Sequence, residues 1–213
     1  MREVDSWENK GGESLTWLDS SLSGGIDPNS VNLRDLGQIL AMDFLLDNTD
    51  RHGGNLMLGI DADGTQRLAI IDNGLLMGGR VHDGLGDWGD DATPEQIKSL
   101  MMKRANMTID DLLGNTQENY LLSDEKVLKA YGRIGDVDGD GAEFQEGVNT
   151  TLERIKANLD SLLDPAVFEK RGIPLTPTEK AHLNAVKTVA KIRIEMLEYY
   201  PEMLADAIGA RQR

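Results

Sequence analysis

The sequence predicts a mainly α protein with one small antiparallel β-hairpin, an α+β architecture, and three stretches carry that expectation. Between Asn32 and Leu46 the apolar residues Leu33, Leu36, Ile39, Leu40 and Phe44 recur at the three- and four-residue spacing of one helical face. The β-prone runs Leu56-Met57-Leu58 and Leu68-Ala69-Ile70-Ile71 flank Asp61-Ala62-Asp63-Gly64, and Asp-Gly between apolar strands is a strong hairpin signal. Toward the C-terminus, Thr176-Pro177-Thr178-Glu179 has the spacing of a capping box and opens a run containing Leu183, Val186, Val189, Ala190, Ile192, Ile194 and Leu197.

Taken in order, residues 1–30 are rich in Gly, Ser, Asp and Asn, with Gly11-Gly12, Gly24-Gly25 and Asp27-Pro28 as breakers, and read as an irregular arm. Only Leu15-Thr16-Trp17-Leu18 in that arm has the means to pack. Asn32 suits the N-cap of the first helix, because its side-chain oxygen can satisfy an N–H that has no partner in the first turn. That helix runs straight into a polar knot, Asp47 to His52. An antiparallel hairpin sets the start of one strand beside the end of the other, so the polar groups before Leu56 and after Ile71 share one mouth. Asp61 and Asp63 read as turn formers.

Residues 75–93 hold Gly78-Gly79, Gly84, Gly86 and Gly89 with little apolar periodicity, which predicts a long loop beside that mouth. Thr93 and Pro94 suit the N-cap and first position of a helix through Ile97, Leu100 and Met101. Further helices are expected over Asp110–Leu113, Ser123–Tyr131 and Val148–Leu163. The last helix is broadly apolar, so it is expected to pack on the body or on a partner protein.

Composition excludes several classes of function. A formal net charge of -15 over 213 residues repels nucleic-acid backbones and anionic membranes, so neither is expected as a partner. Without cysteine, disulfides and thiolate metal sites are excluded. No apolar run approaches the roughly 18 to 20 residues of a membrane span. Nor does Met1-Arg2-Glu3-Val4-Asp5 lead into a signal-peptide core, and the expectation is a soluble, cytoplasmic protein.

The densest cluster of chemistry-capable residues lies between Asp47 and Gly74. Phosphoryl transfer from a nucleotide needs a group that orients or deprotonates the acceptor, and oxygen ligands for the Mg²⁺ that neutralises developing charge. Asp50 or His52 suits the first task. Asn55 and Asp72 suit the second, because Mg²⁺ takes carboxylate and amide oxygens and keeps waters and phosphate oxygens for its other positions. Gly53-Gly54 allows a tight turn close to a substrate. The plainer reading is a satisfied helix-terminal network at Asp50, Arg51 and His52, with Asp72 ending a strand.

Asp50-Arg51-His52-Gly53-Gly54-Asn55 resembles the DRHxxN catalytic loop of the phosphatidylinositol 3/4-kinase-like branch of the protein-kinase fold, and Ile71-Asp72-Asn73-Gly74 resembles its IDFG-type metal motif. The resemblance covers roughly residues 32 to 93 in the family's order: helix, catalytic loop, hairpin, metal-binding Asp, activation loop. Asn73 stands where the family has Phe. The resemblance implies a kinase-like C-terminal lobe over 31–165, with Asp50 and His52 acting at the acceptor hydroxyl, Asn55 and Asp72 on Mg²⁺, ATP as phosphoryl donor and Arg51 structural. Residues 174–213 follow as a C-terminal helical segment.

Such a kinase also needs an N-terminal lobe with a lysine to hold the phosphates. Fewer than about 50 residues precede the loop, against roughly 80 for five strands and a helix at ordinary lengths. Lys10, the only lysine there, sits in the Gly-rich arm. A full N-lobe is therefore not expected, and three arrangements stay open: a piece of a longer kinase, a lobe completed by a partner chain, or a noncatalytic kinase-derived binding or structural protein. Residues 75–93 set Arg80 and His82 against Asp83, Asp87, Asp90 and Asp91, which favours a protein or small hydroxyl acceptor over a phosphoinositide.

A second candidate site is Asp136-Val137-Asp138-Gly139-Asp140-Gly141, which matches the front half of an EF-hand-like Ca²⁺ loop. The twelfth position, where a bidentate Glu belongs, is Gly147. An acidic interhelical turn is the plainer expectation.

Overall fold

The computed structural model describes residues 15–18, 25–48, 51, 53–70, 93, 95–96, 99, 102–103, 124–135 and 139–211. Asp50, His52, Asp72, Asp136 and Asp138 lie outside these residues, as do the expected helix over 110–113 and nearly all of the loop over 75–93.

Helix α1, Leu33–Leu45, starts where the spacing predicts, and the Asn32 side chain accepts the Asp35 N–H at 3.0 Å. Such a cap stabilises a helix by about 1 kcal/mol. Strands β2, Leu56–Ile60, and β3, Gln66–Ile70, pair antiparallel, with Leu56 opposite Ile70 and Ile60 opposite Gln66. Their turn is closed by its own bonds: Asp61 and Thr65 join N–H to carbonyl at 2.9 Å, and the Asp63 carboxylate accepts the Thr65 N–H at 2.9 Å. Gly64 holds φ +89° there, a conformation that side-chain-bearing residues rarely adopt.

The sheet has a third strand. Leu15–Leu18, the one packable piece of the N-terminal arm, forms β1 and pairs antiparallel with β2, giving the order β1-β2-β3. Backbone bonds from Asn32 to the Gln66 carbonyl and from Gln66 to the Ser30 carbonyl, both 2.8 Å, tie the approach to α1 against the start of β3.

Thr93 and Gln96 exchange capping bonds, the Thr93 N–H donating to Oε1 at 2.8 Å and the Gln96 N–H to Oγ1 at 3.3 Å, and Glu95 and Gln96 have helical backbone as expected. Helix α2, Glu125–Tyr131, is capped by Asp124 and ends in the 3-10 turn Gly132–Gly135. Arg133 in that turn donates to the carbonyls of Pro28 and Val31 at 3.1 and 2.9 Å.

Helix α3, Asp140–Leu162, begins at Asp140 rather than at Val148. Of the calcium-loop expectation, Asp136 and Asp138 lie outside the described residues, and residues 140–147, its rear part, are helical. Gly147, at the closing position, is packed against α1.

The α1–α3 crossing is the tightest contact in the core. A methyl group on Gly37 would lie 2.2 Å from the Phe144 carbonyl oxygen, and one on Gly147 would lie 2.1 Å from that of Arg34. Each helix therefore gives up a side chain where the other's backbone passes, and Thr151 adds a hydroxyl bond to the Gln38 carbonyl at 3.2 Å. Leu36, Leu40, Phe144, Val148 and Leu152 fill the space around the crossing.

After α4, Pro165–Lys170, helix α5 spans Pro177–Tyr199 behind the expected capping box of Thr176 and Glu179. Its buried face, including Val186, Val189, Ala190, Ile194 and Leu197, packs on α1 and α3. That face also holds Arg193. Tyr200-Pro201 interrupts the chain before α6, Met203–Arg211. No helix among the described residues is long and apolar enough to cross a membrane.

Candidate functional site

The site starts from a carboxylate in the wrong place for a carboxylate. Asp43 lies three residues after Leu40 and four after Ile39, within the apolar stripe of α1, and is 5% exposed. A buried charge without partners would cost several kcal/mol, so the chain around it must supply them. Arg51, wholly buried, does so with one edge of its guanidinium: Nε donates to Oδ2 at 3.0 Å and Nη2 to Oδ1 at 2.8 Å. Asn48 adds Nδ2 to Oδ1 at 2.8 Å and its own N–H to the Asp43 carbonyl at 2.9 Å. Burial pushes the Asp43 carboxyl above the usual carboxylate range, and the bonds from Arg51 and Asn48 pull it back.

One side chain of α1 thus grips both flanks of residues 49–50. From Arg51 the brace continues, because Nη1 donates to the Asn55 carbonyl at 3.1 Å. Asn55 ends the 3-10 turn Gly53–Asn55 and is itself buried at 6% exposure, immediately before β2. The turn needs its glycines' freedom less than its anchorage: Arg51 holds the last residue while Asp43 holds Arg51.

The hairpin then sets the second half of the site. Because Leu56 faces Ile70, the residue after Asn55 is the cross-strand neighbour of the last described residue before Asp72. The hairpin is fixed to α1 by Asp35, whose carboxylate accepts Arg67 Nε at 2.7 Å, Arg67 Nη2 at 3.0 Å and the Leu68 N–H at 3.0 Å. Burial works against the Arg67 charge, but the Asp35 bonds dominate and hold its pKa above the ordinary range.

Tyr131 of α2 closes the floor. Its ring meets Phe144 edge to face at 6.0 Å between centroids, and its buried hydroxyl makes no hydrogen bond among the described residues. Burial, reinforced by the Asp43 charge, pushes the phenol well above its ordinary pKa.

Of the residues expected at the site, the structure brings Arg51 and Asn55 together through a direct bond, and Arg51 is wholly buried. Asp50, His52 and Asp72 lie outside the described residues. So do Asp136 and Asp138, while Asp140 is the first residue of α3. Asn55 offers an amide oxygen of the kind Mg²⁺ accepts, and together with a carboxylate such as that of Asp72 the donor set suits a hard cation. Among the described residues alone, no three His, Asp or Glu side chains gather where they could hold a metal.

The residues that reasoning from sequence missed are Asp43, Asp35 and Arg193. The signal was present: Asp43 and Arg193 each interrupt the apolar stripe of a helix, and a charge in that position needs a partner from elsewhere. No family model, curated protein or solved structure matches the chain.

Proposed function

We propose that Asp50 to Gly74 is the catalytic and metal-binding segment of a kinase-like C-terminal lobe that transfers the γ-phosphoryl group of ATP to a hydroxyl on a protein or small molecule. The observation that carries this reading is the pairing of Leu56 with Ile70. It puts the end of the DRHxxN-like loop beside the strand that leads, two residues on, into Asp72, and two residues reach at most about 7 Å. Both ligand-bearing motifs are thereby restricted to one end of one hairpin.

In this reading Asn55 and Asp72 hold Mg²⁺ through amide and carboxylate oxygens. When bound, Mg²⁺ neutralises the charge that develops on the transferring phosphoryl group. Asp50 accepts the acceptor hydroxyl's proton and His52 orients that hydroxyl. Arg51 and Asp43 keep the loop in one conformation, which is what positioning catalysis requires.

The test is a thermal-shift titration with Mg²⁺-ATP alongside a phosphate-transfer assay, on the wild-type chain and on Asp72→Ala. A shift and transfer that Asp72→Ala removes support the reading. If the wild type gives neither response, or if Asp72→Ala matches the wild type in both, the reading fails in favour of a noncatalytic binding or structural protein.

A further inference from the structure

The loop that runs into Asp50 is held from a second direction. At the end of α1, Asp47 adopts φ 54°, a left-handed conformation that often terminates a helix and that Asp takes up more readily than most residues with a side chain. Asp47 is 3% exposed, and its Oδ1 accepts Nη2 of Arg193 at 2.8 Å. The same guanidinium donates through Nη1 to the Phe44 carbonyl at 2.5 Å and lies over the Phe44 ring, 5.2 Å from its centroid.

These contacts do two jobs at once. The Phe44 carbonyl is among the last of α1, where an α-helix leaves carbonyls unsatisfied and favours a cation. Arg193 supplies both the donor and the charge, from a helix that lies 149 residues further along the chain. Its bond to Asp47 then fixes the residue whose left-handed turn directs the chain out of α1 and into Asn48 and the loop. Arg193 is 1% exposed, so water offers neither group a substitute.

We propose that Arg193 is a positioning residue for this loop, so that the seating of α5 on the body sets how the chain enters Asp50. The proposal rests on the phosphotransfer reading only for calling the loop a catalytic one; the coupling itself stands on Arg193, Asp47 and Phe44. A displaced α5 removes the Arg193 donor from the end of α1 and from the Asp47 carboxylate. The loop is then free to leave its working geometry while the α1–α3 crossing stays intact.

The experiment is amide hydrogen exchange on the full chain, comparing residues 47–56 with the α3 segment 144–159. Arg193→Met is expected to speed exchange in the loop by about tenfold or more beyond any change in α3. Asp47→Gly tolerates the left-handed backbone, removes only the carboxylate, and is expected to reproduce the loop effect. The double variant should exceed Arg193→Met by little, because the contact that Asp47→Gly breaks is already gone in it. Asp47→Asn, which keeps an acceptor oxygen and tolerates the same backbone, should largely restore protection.

Equal acceleration in loop and α3 by Arg193→Met, or wild-type loop exchange in Asp47→Gly, overturns the proposal. If phosphate transfer is measurable, kcat should fall roughly 10- to 100-fold with the KM for ATP little changed, as expected for a misplaced catalytic loop. A rise in KM with kcat unchanged would also overturn it. A wild-type chain that never binds Mg²⁺-ATP sinks the phosphotransfer reading by itself and leaves the exchange comparison to decide this one.

Discussion

Asp43 and Arg51 meet side-on through two parallel hydrogen bonds, both residues shut away from water. A pair of this kind is strongly interdependent: removing one charge strands the other, whereas removing both leaves apolar volume in an apolar place. Asp43→Leu or Arg51→Met alone should therefore destabilise the protein by about 3–5 kcal/mol. The double variant should cost far less than the sum. Urea unfolding of the four proteins gives the coupling directly, and additive losses would mean that the pair is not a unit.

The α1–α3 crossing predicts that both of its glycines resist even a methyl group. Gly37→Ala and Gly147→Ala each drive a Cβ into a backbone carbonyl, which cannot swing aside as a side chain would. Overpacking of this sort costs about 1–3 kcal/mol. Gly209, with open space around it, is the control. Its alanine variant should melt at or slightly above the wild-type temperature, since alanine is the better helix former.

Tyr131 offers a prediction of opposite sign. Its hydroxyl is buried with no partner among the described residues, and an unsatisfied buried hydroxyl carries a desolvation penalty of about 1–3 kcal/mol. Tyr131→Phe keeps the ring against Phe144 and deletes the penalty, so its thermal midpoint should equal or exceed that of the wild type. A clear loss of stability would show that the hydroxyl is bonded in solution.

The hairpin turn should be sensitive to acid. The Thr65 N–H bond holds the Asp63 carboxyl below its ordinary value of 3.8. A carboxylate whose folded pKa is depressed contributes its stabilisation above the unfolded value, and loses it as pH falls through the folded one. Between pH 5 and 8 the turn is therefore indifferent to pH, and below about 4 it should loosen as the carboxyl takes up a proton. Asp63→Asn, whose amide does not titrate, should flatten that dependence when the Thr65 amide is followed by NMR.

How much of this was readable in advance follows from where each interaction's partner lies. Helix α1 and its Asn32 cap were legible because periodicity and capping are local, and Asp61 to Gly64 announced the hairpin for the same reason. Strand β1 was visible only as four residues able to pack. Its partner lies some 40 positions on, at Leu56–Gly59, and strand pairing over such a distance leaves no local mark. The early start of α3 was hidden by Asp140-Gly141, residues that look like a turn and are drawn into a helix by the Phe144 and Gly147 packing on α1. Asp43 and Arg193 gave the clearest unused signal, since each is a charge inside an apolar stripe, but nothing local says which buried group answers it.

The tie between Arg193 and Asp47 spans 146 positions, and that separation has a temporal meaning. A ribosome adding 5–20 residues per second makes Asp47 roughly 7 to 30 s before it makes Arg193. Once Ile70 has been made, every residue of α1, of the hairpin and of the Asp43 brace is present, but the loop's final anchor is not. A growing chain of this protein therefore waits for α5, made well after the loop itself, before Asp47 takes its final anchor.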